Sequence, residues 1–95
     1  MTMYYSYVLL GKRDNRFYTG CTNDLKNRLL EHNAGRVRST AYRAPLELIY
    51  YEACVNRDDA LRRERFLKSG KGKGFLKKRL AVFLEGSRQN KLERY

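Results

Sequence analysis

The sequence predicts an α+β domain: a small three-stranded antiparallel sheet flanked by helices, in the order β-β-α-β-α-α. Three observations carry this. Two runs rich in Tyr, Val, Leu and Ile, residues 3–10 and 46–54, have strand composition. A Gly-Lys-Arg-Asp-Asn stretch at 11–15 has turn chemistry and sends the first run back as a second strand. Three further segments carry helix start and stop residues at their ends. The 95 residues suffice for one domain and not for two.

In order along the chain, Met3 to Leu10 is the first strand, Gly11 to Asn15 the turn, and Arg16 to Cys21 the returning strand. Thr22, Asn23 and Asp24 are candidate N-caps for a helix from Leu25 to Asn33, which Gly35 closes. Arg36 to Pro45 is a basic loop without apolar periodicity, and Leu46 to Cys54 is the third strand. Asn56 caps a second helix, with Asp58 and Asp59 in the first turn, where the helix dipole favours negative charge. That helix runs to about Lys68 and stops at Ser69-Gly70; Gly74 precedes a third helix of roughly Phe75 to Leu84. The domain is assigned to residues 1–85, and residues 86–95 are expected to form a polar C-terminal tail.

Eight Tyr and four Phe are too many for a disordered basic tail, so the net charge of +11 belongs to a folded surface. So much positive charge on a short chain repels itself unless an anionic partner answers it, and nucleic acid is the expected partner. No apolar run approaches a membrane span and the start lacks a signal-peptide layout, so a cytoplasmic, monomeric protein with no membrane partner is expected. Cys21 and Cys54 are too far apart for a CxxC pair and are expected to be small buried hydrophobes.

Polar residues stand where apolar ones belong. On the first helix Leu25, Arg28, Leu29 and His32 share one stripe, so an Arg and a His face the sheet. Arg28 can snorkel to the helix edge or meet an anion; His32 can be a satisfied core residue or a functional one. On the second helix Ala60, Leu61, Glu64 and Leu67 form the stripe, and the carboxylate among them needs a cation: a metal ion, Arg28, or Lys68 one turn later. With the hairpin turn centred near Lys12-Arg13, Tyr7 lies opposite Tyr18, and a slip of two residues keeps both on one face. The two phenols are either core aromatics with rim hydroxyls or members of a site.

Residues 57–79 hold ten Lys or Arg against three acids. Their Ser69-Gly70-Lys71-Gly72-Lys73-Gly74 segment is expected to be a loop that presents backbone N–H groups to a phosphate, although it matches neither GxxxxGK[ST] nor GxGxxG. Arg36, Arg38 and Arg43 in the basic loop, with Lys68, Lys71, Lys73 and Lys77, are the candidate nucleic-acid-binding residues.

Together these positions resemble the GIY-YIG nuclease family, particularly its small single-domain bacterial members. Tyr5-Ser6-Tyr7 stands at the first family tripeptide and Tyr18-Thr19-Gly20 at the second; Arg28, His32 and the Glu64 of Ala60-Leu61-Arg62-Arg63-Glu64 fit the family layout. His32-Asn33-Ala34-Gly35, Pro45 and Leu48-Ile49-Tyr50-Tyr51-Glu52 are similar to the small bacterial group, and the likeness spans about Tyr4 to Leu80. The first tripeptide keeps only its final Tyr. A polar residue that many relatives carry beyond the glutamate has no clear counterpart; Lys68 and Lys77 are the nearest.

The resemblance implies a metal-dependent endonuclease acting on nucleic acid, DNA rather than RNA, without a small-molecule cofactor. It makes Tyr7, Tyr18, Arg28, His32 and Glu64 the catalytic set. Glu64, the one acidic ligand, implies a single hard cation, Mg²⁺ or Mn²⁺, completed by water and phosphate oxygens. Arg28 would clamp the scissile phosphate, and Tyr7 would act as general base once Arg28 and the metal lower its pKa, with Tyr18 positioning the water. His32 would relay a proton or bind phosphate. The alternative is a catalytically silent, basic nucleic-acid-binding module of the same fold.

Overall fold

The computed structural model describes residues 1–86. Of the predicted tail, 86–95, residue 86 is helical and the rest lies outside the described residues. The chain divides into two compact units, residues 1–65 and residues 66 onward.

The first unit is built on a sheet of order β2-β1-β3, antiparallel throughout, with β1 Tyr4–Gly11 in the centre, β2 Phe17–Thr22 on one side and β3 Leu46–Cys54 on the other. The central position explains why every residue of β1 from Ser6 to Gly11 is buried. The register departs from expectation. Tyr7 stands opposite Gly20 on β2 and Tyr51 on β3, while Tyr18 stands opposite Leu9. The hairpin turn includes Asn15, which takes a left-handed φ of 59° and returns its N–H to the Gly11 carbonyl at 2.9 Å. That moves the turn's centre by one residue and the register by two. Parity is preserved, so Tyr7 and Tyr18 do share a face.

Helix α1, Leu25–Asn33, covers that face: Leu25 and Leu29 pack against the buried Tyr7, Leu9 and Leu46. Asp24 is the N-cap, accepting from the Asn27 N–H at 3.2 Å. The N–H groups of Gly35 and Arg36 return to the carbonyls of His32 and Glu31, a Schellman closure that ends the helix where expected. Asn33 then clamps β3, giving its amide to the Leu46 carbonyl at 3.0 Å and accepting the Leu46 N–H at 2.7 Å. The basic loop that follows is not structureless: residues Arg38–Thr40 form a 3₁₀ turn whose Thr40 is wholly buried.

The opposite face meets helix α2, Arg57–Lys68, where the Ser6 hydroxyl donates to the Ala60 carbonyl at 2.7 Å and Arg63 Nε donates to the Glu52 carboxylate at 3.0 Å. Asn56 caps α2 as expected, its side-chain oxygen accepting from Asp58 N–H and Asp59 N–H at 2.8 and 3.3 Å. Cys21 and Cys54 are free thiols, half-buried rather than wholly buried as expected, because each sits on a strand that flanks the sheet's centre.

In the second unit, helix α3 is Gly70–Arg79, and residues 81–86 are helical as well. The Gly-Lys segment is therefore the opening of α3 and not a phosphate-cradling loop ahead of a helix at Phe75. Ser69 is the N-cap, accepting the Gly72 N–H at 3.1 Å, which offsets the poor helix propensity of the glycines. Gly72 is there for packing: a Cβ at this position would run into the Phe66 carbonyl and the Leu67 backbone. Phe66 and Phe75 stack edge to face with centroids 6.1 Å apart, and Leu76 is buried.

Candidate active site

Tyr7 is the middle of the site. Its ring, 3% exposed, leans across β2 over Gly20, and a Cβ on Gly20 would land on the phenol oxygen and the carbon that bears it. The oxygen is held from α1 at two points: His32 Nε2 lies 2.9 Å away, and Arg28 Nε donates to it at 3.4 Å. Both residues sit on the α1 stripe, so the polar side chains that looked misplaced converge on one buried phenol. Burial raises the pKa of Tyr7, Arg28 opposes that by its hydrogen bond and its charge, and the Glu64 charge adds to the rise. The net direction is upward, so Arg28 alone does not bring the phenol below its ordinary value. His32 is buried and its pKa is lowered, first by desolvation and then by the Arg28 charge. A neutral imidazole therefore faces a neutral phenol at pH 7.

The far nitrogen of that imidazole, Nδ1, is 2.6 Å from the Thr40 hydroxyl. Nothing in the sequence pointed to Thr40, since its partner is met only when the 36–45 loop folds back over the end of α1. Arg28 also makes an ion pair with Glu31 at 3.7 Å, one turn along the helix.

Tyr18 shares the Tyr7 face but its hydroxyl is otherwise engaged. It donates to the Asp14 carboxylate. Asp14 also accepts the Arg16 N–H at 3.1 Å and pairs with Arg43 at 3.6 Å. The Tyr18 bond is the largest cause of the lowered pKa of Asp14, while Tyr18 is raised, by burial first and by Asp14 next. Asp14 is a second site residue that the sequence did not single out; it lies four residues before Tyr18 in the hairpin turn. Arg43 is thereby tied to the hairpin, while Arg36 and Arg38 are exposed on the same loop.

Glu64 is half-buried on the α2 stripe beside the buried Ala60, as expected. Its charge acts on Tyr7 of one sheet face and on Cys21 of the other, whose thiol pKa is raised by burial and then by Glu64. The carboxylate thus stands within electrostatic reach of the Tyr7 phenol. Among the described residues no three of His, Cys, Asp and Glu group as a metal-binding set. One carboxylate suits Mg²⁺, which keeps most of its waters and takes one or two protein carboxylates together with substrate phosphate, so the donor set fits the expected cation. Lys68, Lys71, Lys73 and Lys77 are exposed in the second unit.

The buried Tyr7 and His32 and the half-exposed Arg28 cluster on one helix-covered face of a three-stranded sheet, with the Glu64 carboxylate near them, and the family match makes this a nuclease-type domain. The chain belongs to the GIY-YIG family: the model of the GIY-YIG catalytic domain matches residues 3–79. Among its relatives is a UPF0213 protein of Lacticaseibacillus paracasei, 46% identical over 66 residues that cover 68% of this chain and 73% of that one. A UPF0213 protein of Streptococcus pyogenes serotype M5 is 44% identical over 68 residues, 70% of this chain and 73% of its own length. A UPF0213 protein from Bacillus halodurans, solved by solution NMR, is 32% identical, covers 78% of this chain and 81% of its own, and superposes with a TM-score of 0.49. Nucleic acid as substrate follows from the family. No helix among the described residues is long and apolar enough to cross a membrane.

Proposed function

We propose that this chain is an endonuclease that hydrolyses phosphodiester bonds, in DNA rather than RNA, as a monomer with one divalent cation, Mg²⁺ or Mn²⁺, at Glu64. The observation that carries this reading is the Tyr7 oxygen, buried yet held between His32 Nε2 at 2.9 Å and the Arg28 guanidinium at 3.4 Å. A core tyrosine needs one hydrogen-bond partner; two nitrogen partners on one phenol, one of them cationic, form a setting that stabilises negative charge on oxygen. Tyr7 is the general base that takes a proton from the attacking water. Arg28, half-exposed, has donors beyond Nε with which to hold the scissile phosphate as charge builds on it. Tyr18, fixed by Asp14, lines the same face and positions the water. A divalent cation on Glu64 would offset the carboxylate charge that raises Tyr7 and neutralise phosphate oxygens. Arg36, Arg38, Arg43, Lys68, Lys71, Lys73 and Lys77, all exposed, supply backbone binding.

The test is cleavage of labelled DNA and RNA panels with Mg²⁺, Mn²⁺ or EDTA, using the parent, Glu64→Gln and Tyr7→Phe. The parent should cut only with metal. Glu64→Gln should lose cleavage yet bind within a few-fold, and Tyr7→Phe should lose on the order of a hundredfold, within the range for a positioned base. A Gln variant that cuts at the parent rate removes the metal assignment. A parent that binds but cuts nothing under any condition is the silent binding module instead.

A further inference from the structure

Three groups in a row, Tyr7, His32 and Thr40, share two hydrogen bonds, and the direction of those bonds decides what His32 can do. Tyr7 Oη is 2.9 Å from Nε2, and Nδ1 is 2.6 Å from the Thr40 hydroxyl. A neutral imidazole carries one N–H and one lone pair, so the row has two possible wirings. In the first, Tyr7 donates to Nε2 and Nδ1–H donates to Thr40. In the second, Thr40 donates to Nδ1 and Nε2–H donates to Tyr7.

Each wiring leaves one hydroxyl proton over. In the first it is the proton of Thr40, 0% exposed, whose side-chain partner among the described residues is His32 itself. A buried donor without an acceptor is the costly arrangement. In the second it is the proton of Tyr7, 3% exposed and equally without an acceptor among the described residues, but carried by the oxygen that is to be deprotonated, so that once it leaves no hydroxyl of the row lacks a partner. The second wiring also gives that oxygen two donors, His32 Nε2–H and Arg28 Nε–H.

We propose that Thr40 is a positioning residue for the nuclease reaction: its hydroxyl donates to His32 Nδ1, holds the ring as the Nε2–H tautomer, and so makes His32 a hydrogen-bond donor to Tyr7 rather than the acceptor of its proton. The inference rests on Tyr7 being the base. When the Tyr7 O–H bond breaks, the proton leaves to solvent, because neither imidazole nitrogen then offers a lone pair. The phenolate remains between two N–H donors and takes the proton of the attacking water. Thr40 is set for this task by the 3₁₀ turn Arg38–Thr40, in which its N–H bonds the Val37 carbonyl at 3.1 Å while its carbonyl accepts the Arg43 N–H at 2.9 Å.

His32 is the chain's one histidine, so ¹⁵N-histidine labelling shows a single ring. Long-range ¹H–¹⁵N spectra at pH 8 should show a protonated Nε2 and an unprotonated Nδ1 in the parent and in Thr40→Ser. Thr40→Val, which keeps the shape and removes the hydroxyl, should lose that tautomeric preference. Its cleavage rate at saturating substrate should fall about 10–100-fold, taking as a scale the loss when the outer partner of a metal-ligating histidine is removed, with KM within about threefold and full recovery in Thr40→Ser. A parent spectrum with Nδ1 protonated overturns the proposal, and it needs no folded Val variant and no cleavage assay. So does a Val variant that loses the tautomer and cuts at the parent rate. A parent with the expected tautomer and no nuclease activity would instead overturn the functional reading beneath it, and the spectrum tells the two failures apart.

Discussion

Replacing Gly20 by Ala tests the placement of Tyr7 without touching Tyr7. A methyl group at Gly20 would land on the phenol oxygen and its carbon. The ring cannot simply withdraw, since it is 3% exposed and its oxygen is bonded to His32 at 2.9 Å and Arg28 at 3.4 Å. Overpacking of this kind costs about 1–3 kcal/mol, and each hydrogen bond stretched out of range about 0.5–1.5 kcal/mol. Against this, Ala restricts the unfolded chain more than Gly does, which contributes about 0.4–1 kcal/mol in the other direction. With both bonds lost the net loss is about 1–5.5 kcal/mol, each kcal/mol lowering Tm by about 4–8 °C for a domain of this length. The rate should fall on the order of a hundredfold, the effect of a misplacement of about 1 Å at a reacting group. Circular dichroism melts and single-turnover cleavage measure both. The decisive control is Tyr7→Leu, which removes the atoms the methyl group meets; in that background Gly20→Ala should cost far less, a coupling of about 1–2 kcal/mol. Equal costs in both backgrounds, or an unchanged Tm and rate in the single variant, would refute the placement.

Stability should also depend on pH through His32. Its pKa is lowered by burial and then by Arg28, so the unfolded chain takes up a proton first; stability holds at neutral pH and declines as pH falls below the ordinary imidazole value of 6.5, until the folded ring protonates too. Urea midpoints at pH 7.5 and 5.5 should therefore differ in the parent and differ less in His32→Gln, and equal midpoints in the parent would contradict the burial. Asp14→Ala should slow cleavage about as much as Tyr18→Phe, with the double variant no slower than either, because the Asp14 carboxylate acts through the Tyr18 hydroxyl; additive losses would separate their roles. Nucleic-acid binding should weaken with salt at a log–log slope of about −3 to −6, made shallower by about one to two in Lys71→Ala/Lys73→Ala; a flat salt response would sink the backbone-binding role.

Where local rules decide the outcome, the structure follows the sequence closely. Strand composition located β3, Asp24 and Asn56 cap the helices expected of them, and the helical stripe placed Arg28 and His32 on the sheet-facing side of α1. Departures occur where a contact outweighs propensity. Asn15 adopts a left-handed φ and shifts the hairpin by two residues; Ser69 caps a helix through glycines that composition assigns to a loop, and Gly72 admits the close approach that makes it worthwhile. The register error was harmless to the site because strand parity, not register, determines which side chains share a face.

Thr40 and Asp14 were out of reach for a different reason. Neither belongs to a periodic element, and each acts on a residue of the predicted set through a single hydrogen bond closed by a loop. Periodicity shows which polar residues are buried, and burial in turn demands partners, so the sequence carries the demand without the supplier. On α1 the stripe posed that demand twice. Arg28 and His32 answer each other through Tyr7, but the second nitrogen of His32 still required a group from outside the stripe. A buried His whose two nitrogens cannot both be satisfied on its own helix face is therefore a reason to search the next loop for a hydroxyl or carbonyl. Here that loop offers the hydroxyls of Ser39, Thr40 and Tyr42, and the buried one of the three is the partner.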